Sequence, residues 1–317
     1  MLEKIREKIF YFYVWWRTSD KVKIRRLNKC QSKLERQRNL GFPVEKLHFL
    51  ATHGYWPNFV NPKTFSEKLC AKKLYDYDER LTRIADKDLV RDFVVERLGE
   101  FGKSLLVPQL LVTSHPDEID FSSLVGSYVI KANHASQLNY FHFDGSSLNE
   151  KHVRAKLHLW LARDFGFSRN EWAYINIPRK IVVEKMLTEK GKIPSDIKLY
   201  CFDGRIKIVK IINRSDPNNA KITNLDENLD RINIESRYTE AQDSEIPDNI
   251  EELISIAEQL SEGFDFLRVD LYSIDGQIYF GELTNYPRAG RSRIRPKELD
   301  LVMGQYWKST QTYLPKE

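Results

Sequence analysis

The chain has 317 residues, 41% of them hydrophobic and 30% charged, with a formal net charge of +5. That length leaves room for a sizeable core and two or three lobes, and the composition excludes a disordered chain. The mild, dispersed positive charge suits an enzyme of anionic substrates and argues against nucleic-acid binding, which needs a basic stripe with stacking aromatics.

Residues 1–60 read as a basic, aromatic, helical extension. The run Ile9 to Trp16 lies among Lys4, Arg6, Lys8, Arg17, Lys21, Lys23, Arg25 and Arg26. It is too short to span a bilayer, which takes ~20 residues, and no small-residue cleavage site follows it. Aromatics amid Lys and Arg suit peripheral contact with an anionic leaflet through residues 1–26. A helix docked on its own domain is the other reading. Cys30, Cys70 and Cys201 are far apart, with no Cys-x-x-Cys spacing, which reads as a reducing, cytosolic compartment. The histidines lack metal spacing too.

Residues 27–84 look helical, broken by Gly41-Phe42-Pro43 and by Trp56-Pro57 through Asn61-Pro62. From residue 61 to 125 the chain is expected to form a mostly helical region. Thr64 caps a helix through Tyr75, with Phe65, Leu69 and Leu74 inward and Glu67, Lys68, Lys72 and Lys73 mostly outward. Asp76-Tyr77-Asp78 matches the Asp-x-Asp of some nucleotide-sugar enzymes, but it follows a helix instead of closing an apolar strand and is set aside. Asp86-Lys87 opens the next helix, with Leu89, Val90, Phe93, Val94 and Leu98 at helical spacing until Gly99. A lysine at a helix N-terminus opposes the macrodipole, so Lys87 suits a phosphate that also seeks that end.

Ser127 to Ala132 is a strand carrying Lys131 among apolar neighbours, where a lysine needs an anionic partner. The Asn133 to Gln137 loop, with Ser136, is rich in groups that could cover phosphates, and a second strand follows near Tyr140 to Phe143. A helix from Asn149 to Leu161 packs through Val153, Leu157, Trp160 and Leu161. Ile181 to Leu187 is an apolar strand interrupted by Glu184-Lys185. Asp196 to Phe202 and Arg205 to Arg214 form a hairpin over Asp203-Gly204, with Lys198 inside and Arg214 at the exit. For such strand charges a solvent-facing position is the commoner explanation. Residues 215–219 end the strand, and 218–246 is a polar loop region over the site. Asp248 with Glu251 reads as a capping box for a helix ending at Gly263, with Ile250, Leu253, Ile254, Ala257 and Leu260 inside.

The chain is organised around Phe264 to Asn285. Strands Leu267 to Ser273 and Gln277 to Leu283 flank Ile274-Asp275-Gly276, a hairpin signature. Arg268 and Asp270, two apart, share a face, and antiparallel pairing brings Glu282 beside Asp270. Two carboxylates on an otherwise apolar sheet suit a divalent cation, and Mg²⁺ with a phosphate chain is the guest that such a pair holds. Solvated acids on an open face, or acids neutralised by Arg268, remain the alternative. Beyond the hairpin, Arg288, Arg291, Arg293 and Arg295 could bind a phosphate or carboxylate substrate, with a solvated basic loop as the default.

The ordered set Asp86-Lys87, Ile130-Lys131 with its loop, Val183-Glu184-Lys185, Arg268-x-Asp270 and Phe280-Gly281-Glu282 resembles the ATP-grasp superfamily, in particular its TupA-like branch associated with teichuronopeptide and surface-polysaccharide synthesis. The likeness extends from about Asn61 to Gly304. It implies an α/β (α+β) ATP-grasp fold, two α+β lobes sandwiching the nucleotide, over residues 126–317, with a small lobe at about 126–185 and a large lobe at about 186–317. By position, Lys87 and Lys131 would hold nucleotide phosphates under a flap at His134 to Gln137. Glu184 would accept the adenine amino hydrogens, Lys185 and Leu187 would offer backbone contacts, and Asp196 would lie near the ribose. Arg268 would steady the transferring phosphoryl group, with Lys198 among the catalytic cations, and Asp270 and Glu282 would be magnesium ligands, joined by Asn285. Arg214, Arg288 and Arg291 are the substrate candidates. The chain departs from the D-alanine ligase branch in carrying Thr284, then Asn285, where that branch has its Glu-x-Asn asparagine, and its loop after Lys131 lacks the usual glycines.

The resemblance implies an ATP- and Mg²⁺-dependent carboxylate–amine ligase of bacterial surface-polysaccharide synthesis. It would join an amino acid or amino sugar to a uronic acid on a small-molecule or lipid-linked saccharide, in the cytoplasm or at the inner face of the plasma membrane. A glycosyltransferase of the same pathway, a small-molecule kinase and a non-catalytic nucleotide-binding module are the rival readings.

Overall fold

The computed structural model describes residues 2–189, 191–214, 216, 219–234, 239–240, 246–308 and 313–315. Its helices are α1 (Leu2–Thr18), α2 (Asp20–Asn39), α3 (Pro43–His53), α4 (Phe65–Tyr75), α5 (Glu79–Ala85), α6 (Leu89–Ser104), α7 (Glu150–Leu161), α8 (Phe165–Ser168), α9 (Ile250–Ser261) and α10 (Lys297–Tyr306). Its strands are β1 (Gln109–Thr113), β2 (Tyr128–Ala132), β3 (Asn139–His142), β4 (Ile181–Lys185), β5 (Asp196–Phe202), β6 (Arg205–Asn213), β7 (Lys221–Asp226), β8 (Thr239–Glu240), β9 (Phe266–Ile274) and β10 (Gln277–Thr284). This is a mixed α/β protein with antiparallel sheets and a helical N-terminal region. It divides into two compact units.

The first unit comprises Met1–Val44, Asp86–Asp88 and Pro108–Met186. Its sheet runs β1-β4-β2-β3, with every neighbour antiparallel. The sheet therefore starts at Gln109, ahead of residue 126. Tyr128, Ile130, Ile181 and Val183 share one face and bury it against Val153 and Leu157 of α7, with Ile119 and Phe121. Val129, Lys131, Val182 and Glu184, one residue out of phase, point the other way. α1 docks on α7: the Phe10 ring lies 5.1 Å from that of His152, and Lys151 Nζ sits 4.1 Å from the Tyr11 ring centre. Arg26 of α2 pairs with Asp164 at 2.8 Å.

The second unit comprises Glu45–Ala85, Leu89–Val107 and Leu187–Glu317. Its sheet runs β10-β9-β5-β6-β7-β8, antiparallel except for the final β7–β8 pair. An aromatic core of Phe65, Phe202, Phe266 and Trp307, with Leu69, Ile208 and Met303, fills one side. Gly99 interrupts α6 with φ 63°, so the helix is kinked there and runs on to Ser104 rather than stopping.

Thr64 caps α4 as its sequence predicts, through a capping box with Glu67. The outward placement of Glu67, Lys72 and Lys73 is overturned: all three are buried. α4 is covered on more than one side, by α10 and by the turn at Pro287–Gly290, so a single-face amphipathic reading underestimates its burial. Lys72 pairs with Asp76 at 2.5 Å and Asp265 at 2.6 Å, and Lys73 with Glu45 at 2.6 Å. Asp76 and Asp78 are thus structural: Arg80 takes Asp78 at 2.6 Å.

Glu45, Lys73 and Arg291 form a buried ion network. Burial alone would raise the Glu45 carboxyl, but Lys73 and Arg291 outweigh it and hold Glu45 at about 2 against an ordinary 4.5. A depressed carboxyl stabilises the fold above its unfolded pKa and loses that contribution as pH falls through the folded one, here from 4.5 towards 2. Glu45→Gln is expected to destabilise the protein by about 3–5 kcal/mol at neutral pH. In denaturant melts the gap to the parent should narrow as pH drops below 4.5.

The region expected as loop from residue 218 to 246 contains β7, whose Ile222, Thr223, Asn224 and Leu225 are buried. The remainder of that expectation falls partly on 218, 235–238 and 241–245, and the strand end partly on 215 and 217–218, outside the described residues. No capping box forms at Asp248 and Glu251. Asn249 precedes α9 and uses its side chain on the β9–β10 turn instead, accepting from Ser273 Oγ at 2.8 Å and donating to the Gly276 carbonyl at 3.1 Å.

Candidate active site

The β9–β10 hairpin forms where its sequence predicts, with pairs running from Gln277–Ile274 to Phe280–Leu271. There the register shifts. Beyond Gly281, Glu282 lies opposite Asp270 and Thr284 opposite Arg268. Without that bulge Gly281 would face Asp270, and Glu282 would pair with Val269 on the other face. Gly281 permits it: a Cβ there would meet the Asp270 carbonyl oxygen at 2.8 Å and the Tyr272 ring at 3.0 Å.

The shift completes a row across five strands, in which Glu282 pairs with Asp270, Asp270 with Lys198, Lys198 with Lys210 and Lys210 with Asn224. Beside it stand Thr284, Arg268 and Tyr200. Arg268 Nε and Nη2 donate to the two Asp270 oxygens at 2.6 and 2.7 Å, and Nη2 also reaches Glu282 and Thr284 Oγ1, each at 2.9 Å. Thr284 donates in turn to Glu282 at 2.9 Å. Lys198 pairs closely with Asp270. Asp270 is buried, while the Glu282 side chain is 46% exposed.

Arg268 and Lys198 balance the two carboxylates in charge, and Arg268 is held above its ordinary pKa: burial opposes its charge, but Asp270 outweighs it. Burial would likewise push the Tyr200 phenol up, yet Lys210 and Arg268 draw it below its ordinary value. Among the described residues no group of three or more His, Cys, Asp or Glu side chains forms a metal cluster. An acid pair aligned across two strands with one member reaching solvent does fit Mg²⁺, whose remaining ligands are usually water and phosphate oxygens.

In the first unit, Lys131 and Glu184 lie diagonally across β2 and β4 and pair at 2.5 Å. Lys87 precedes α6 by two residues instead of opening it, and its Nζ donates to the Ala135 carbonyl at 2.6 Å. Asn133 ties this corner together, donating to Asp86 at 2.9 Å and accepting from the Lys180 amide at 2.7 Å. Of the loop expected as a flap, His134 and Ala135 are buried, and only Ser136 and Gln137 are exposed. Burial, with Arg179 and Lys87 nearby, lowers His134 to about 4, so it is neutral at physiological pH.

The other expected residues are dispersed. Lys185 is exposed, its amide donating to the Pro108 carbonyl at 2.9 Å, and Leu187 follows β4 half-buried. Asp196 pairs with Arg214. Asn285 does not join Glu282. It sits past the end of β10 with opposite parity to Glu282 and Thr284, fully buried, its amide donating to the Leu81 carbonyl at 2.8 Å. Thr284 fills the place beside the acids. The arginines after the hairpin do not converge: Arg288 reaches Ser292, Arg291 reaches Glu45 at 2.8 Å, and Arg293 reaches the His53 carbonyl. Thr284, Tyr200 and Lys210 are site residues that the strand pattern alone did not single out. The glycine inside a strand at position 281 was the available signal for the bulge that aligns them.

Residues 67–308 match the family described as TupA-like ATPgrasp. No curated protein matches the sequence. Among solved structures, the chain resembles the D-alanine–D-alanine ligase from Bacillus anthracis complexed with ATP at 15% identity and a TM-score of 0.38, covering 65% of this chain and 54% of that one. It resembles the ligase of the same name from Helicobacter pylori at 10% identity and a TM-score of 0.42, covering 73% and 60%. The ATP-grasp ligase PsnB complexed with a phosphomimetic variant of its minimal precursor, Mg and ADP is similar at 15% identity and 0.40, covering 72% and 60%. The chain thus spans a little over half the length of these proteins, and at such similarities none of them bears on substrate or chemistry here.

Proposed function

The chain belongs to the TupA-like ATP-grasp family, and on that premise we propose that it is an ATP-dependent, ADP-forming carboxylate–amine ligase of bacterial surface-polysaccharide synthesis. Its products would join an amino acid or amino sugar to a uronic acid. The observation that carries the reading is the in-register alignment of Glu282 and Asp270 with Lys198, clasped by Arg268. That is a concentrated set of cations and carboxylates on a sheet face.

In the proposed reaction a substrate carboxylate oxygen attacks the γ-phosphorus, the bond from that phosphorus to ADP breaks, and an acylphosphate forms. An amine then attacks the acyl carbon and inorganic phosphate leaves. Phosphoryl transfer depends mainly on positioning and charge stabilisation. Lys131 would hold the phosphates of the nucleotide and Glu184 the adenine amino group. Arg268 and Lys198 would neutralise charge that develops on the transferred group. Bound magnesium would add further positive charge at the phosphate oxygens, with Asp270 and Glu282 as its protein ligands. Lys210, with no carboxylate directly across from it in the row, supports the same anion binding.

Hydroxylamine trapping tests the reaction class. Release of ADP with a hydroxamate is the expected result, whereas a stable phosphorylated product without hydroxamate would make the protein a kinase. Lys131→Met is expected to lower kcat/KM for ATP by about 10²-fold. Unchanged kinetics in an ATP titration would remove Lys131 from the nucleotide site.

A further inference from the structure

The positive charge is not dispersed, as its mild total suggests, but concentrated in one stretch. The first 40 residues hold twelve Lys or Arg against four Asp or Glu, a net +8 that exceeds the +5 of the whole chain. The α1 helix divides this stretch sharply by face. Phe10, Tyr11 and Val14 turn towards α7, and Val14 is only 7% exposed.

At 3.6 residues per turn, Ile5, Ile9, Phe12, Tyr13, Trp15 and Trp16 fall on the opposite face. All six are exposed, with Phe12 at 64% and Trp15 at 68%. Lys8 falls within this face, between Trp15 and Phe12, and Arg6 and Arg17 border it beyond Tyr13. Docking on the protein's own fold therefore accounts for one side of α1 and leaves a contiguous aromatic surface on the other.

We propose that this outer face of α1 binds an anionic lipid surface, lying in the headgroup region with its aromatic rings inserted. Three features select that occupant. Trp and Tyr favour the membrane–water interface, because each joins a large apolar ring to a polar group. The flanking Lys and Arg complement anionic headgroups, as do the exposed Lys21, Arg25, Lys29, Lys33 and Arg36 of α2. Self-association through this face would set two strongly positive surfaces against each other. No described helix is long and apolar enough to cross a membrane, so the contact is a surface one.

The test uses the full chain with vesicles of phosphatidylcholine alone or mixed with phosphatidylglycerol, read by co-sedimentation and by the tryptophan emission maximum. Binding to the anionic vesicles should be stronger by ~10-fold or more and should weaken with salt, with a blue-shifted emission. Phe12→Ser combined with Trp15→Ser alters exposed side chains only, so its melting temperature should match the parent while binding falls by ~10-fold. Arg6→Glu with Arg17→Glu should produce a comparable loss on anionic vesicles. Absence of binding to anionic vesicles, or equal binding by parent and both variants, overturns the proposal. So does a concentration-dependent dimer that the serine variant abolishes without any vesicle binding. The measurement is independent of ligase activity.

Discussion

Glu282→Gln is expected to lower turnover by about 10³-fold while moving the melting temperature little. Glutamine is nearly isosteric and keeps an oxygen for Arg268 and Thr284, and the side chain is 46% exposed, so little buried charge is stranded. What it removes is one of the two negative charges aligned for a cation. Asp270→Asn should fail differently. Asp270 is buried and receives both Arg268 and Lys198, so the amide would leave two cations under-compensated. Loss of activity should then come with destabilisation of roughly 3–5 kcal/mol. Activity assays beside thermal melts separate the two. An active Glu282→Gln enzyme with parental magnesium dependence would refute the assignment of this pair.

Gly281→Ala should abolish activity by misaligning groups that it does not itself contain. The added methyl would lie 2.8 Å from the backbone oxygen of Asp270, and a backbone atom cannot swing aside as a side-chain tip can. Overpacking of this sort costs about 1–3 kcal/mol. The larger effect is positional, since relieving the clash by removing the bulge would turn Glu282 away from Asp270. The expected signature is a modest loss of stability with a turnover defect close to that of Glu282→Gln. A fully active Gly281→Ala protein would show that the bulge does not hold the alignment.

Much of this arrangement was legible in the sequence. The turn at Ile274-Asp275-Gly276, the shared face of Arg268 and Asp270, and charged residues at positions 131, 184 and 198 of strand segments all follow from side-chain alternation and turn chemistry. Alternation assigns faces within a strand, but it does not say which residues of two strands stand opposite each other. That is why the row through Lys198 and Lys210, the flanking Tyr200 and the contacts of Thr284 with Arg268 and Glu282 became visible only with the register. The expectation of a single inward face on α4 fails for a related reason. Lys72 and Lys73 look solvent-directed until the acids that receive them, Asp265 and Glu45, are brought in from distant parts of the chain. An ion pair with a partner far along the chain has no signature in local periodicity.

The order β1-β4-β2-β3 also bears on how the protein is made. β4 is the last of these strands to leave the ribosome, yet it occupies an interior place, with β1 on one edge and β2 on the other. Until Ile181 to Lys185 emerge, β1 and β2 each present an unsatisfied backbone edge, the kind of surface on which nascent chains mispair or recruit chaperones. A nascent chain from which Ile181 to Lys185 have not yet emerged should therefore be the species most prone to aggregate, and their emergence supplies both the missing strand and, in Glu184, the counter-charge for Lys131.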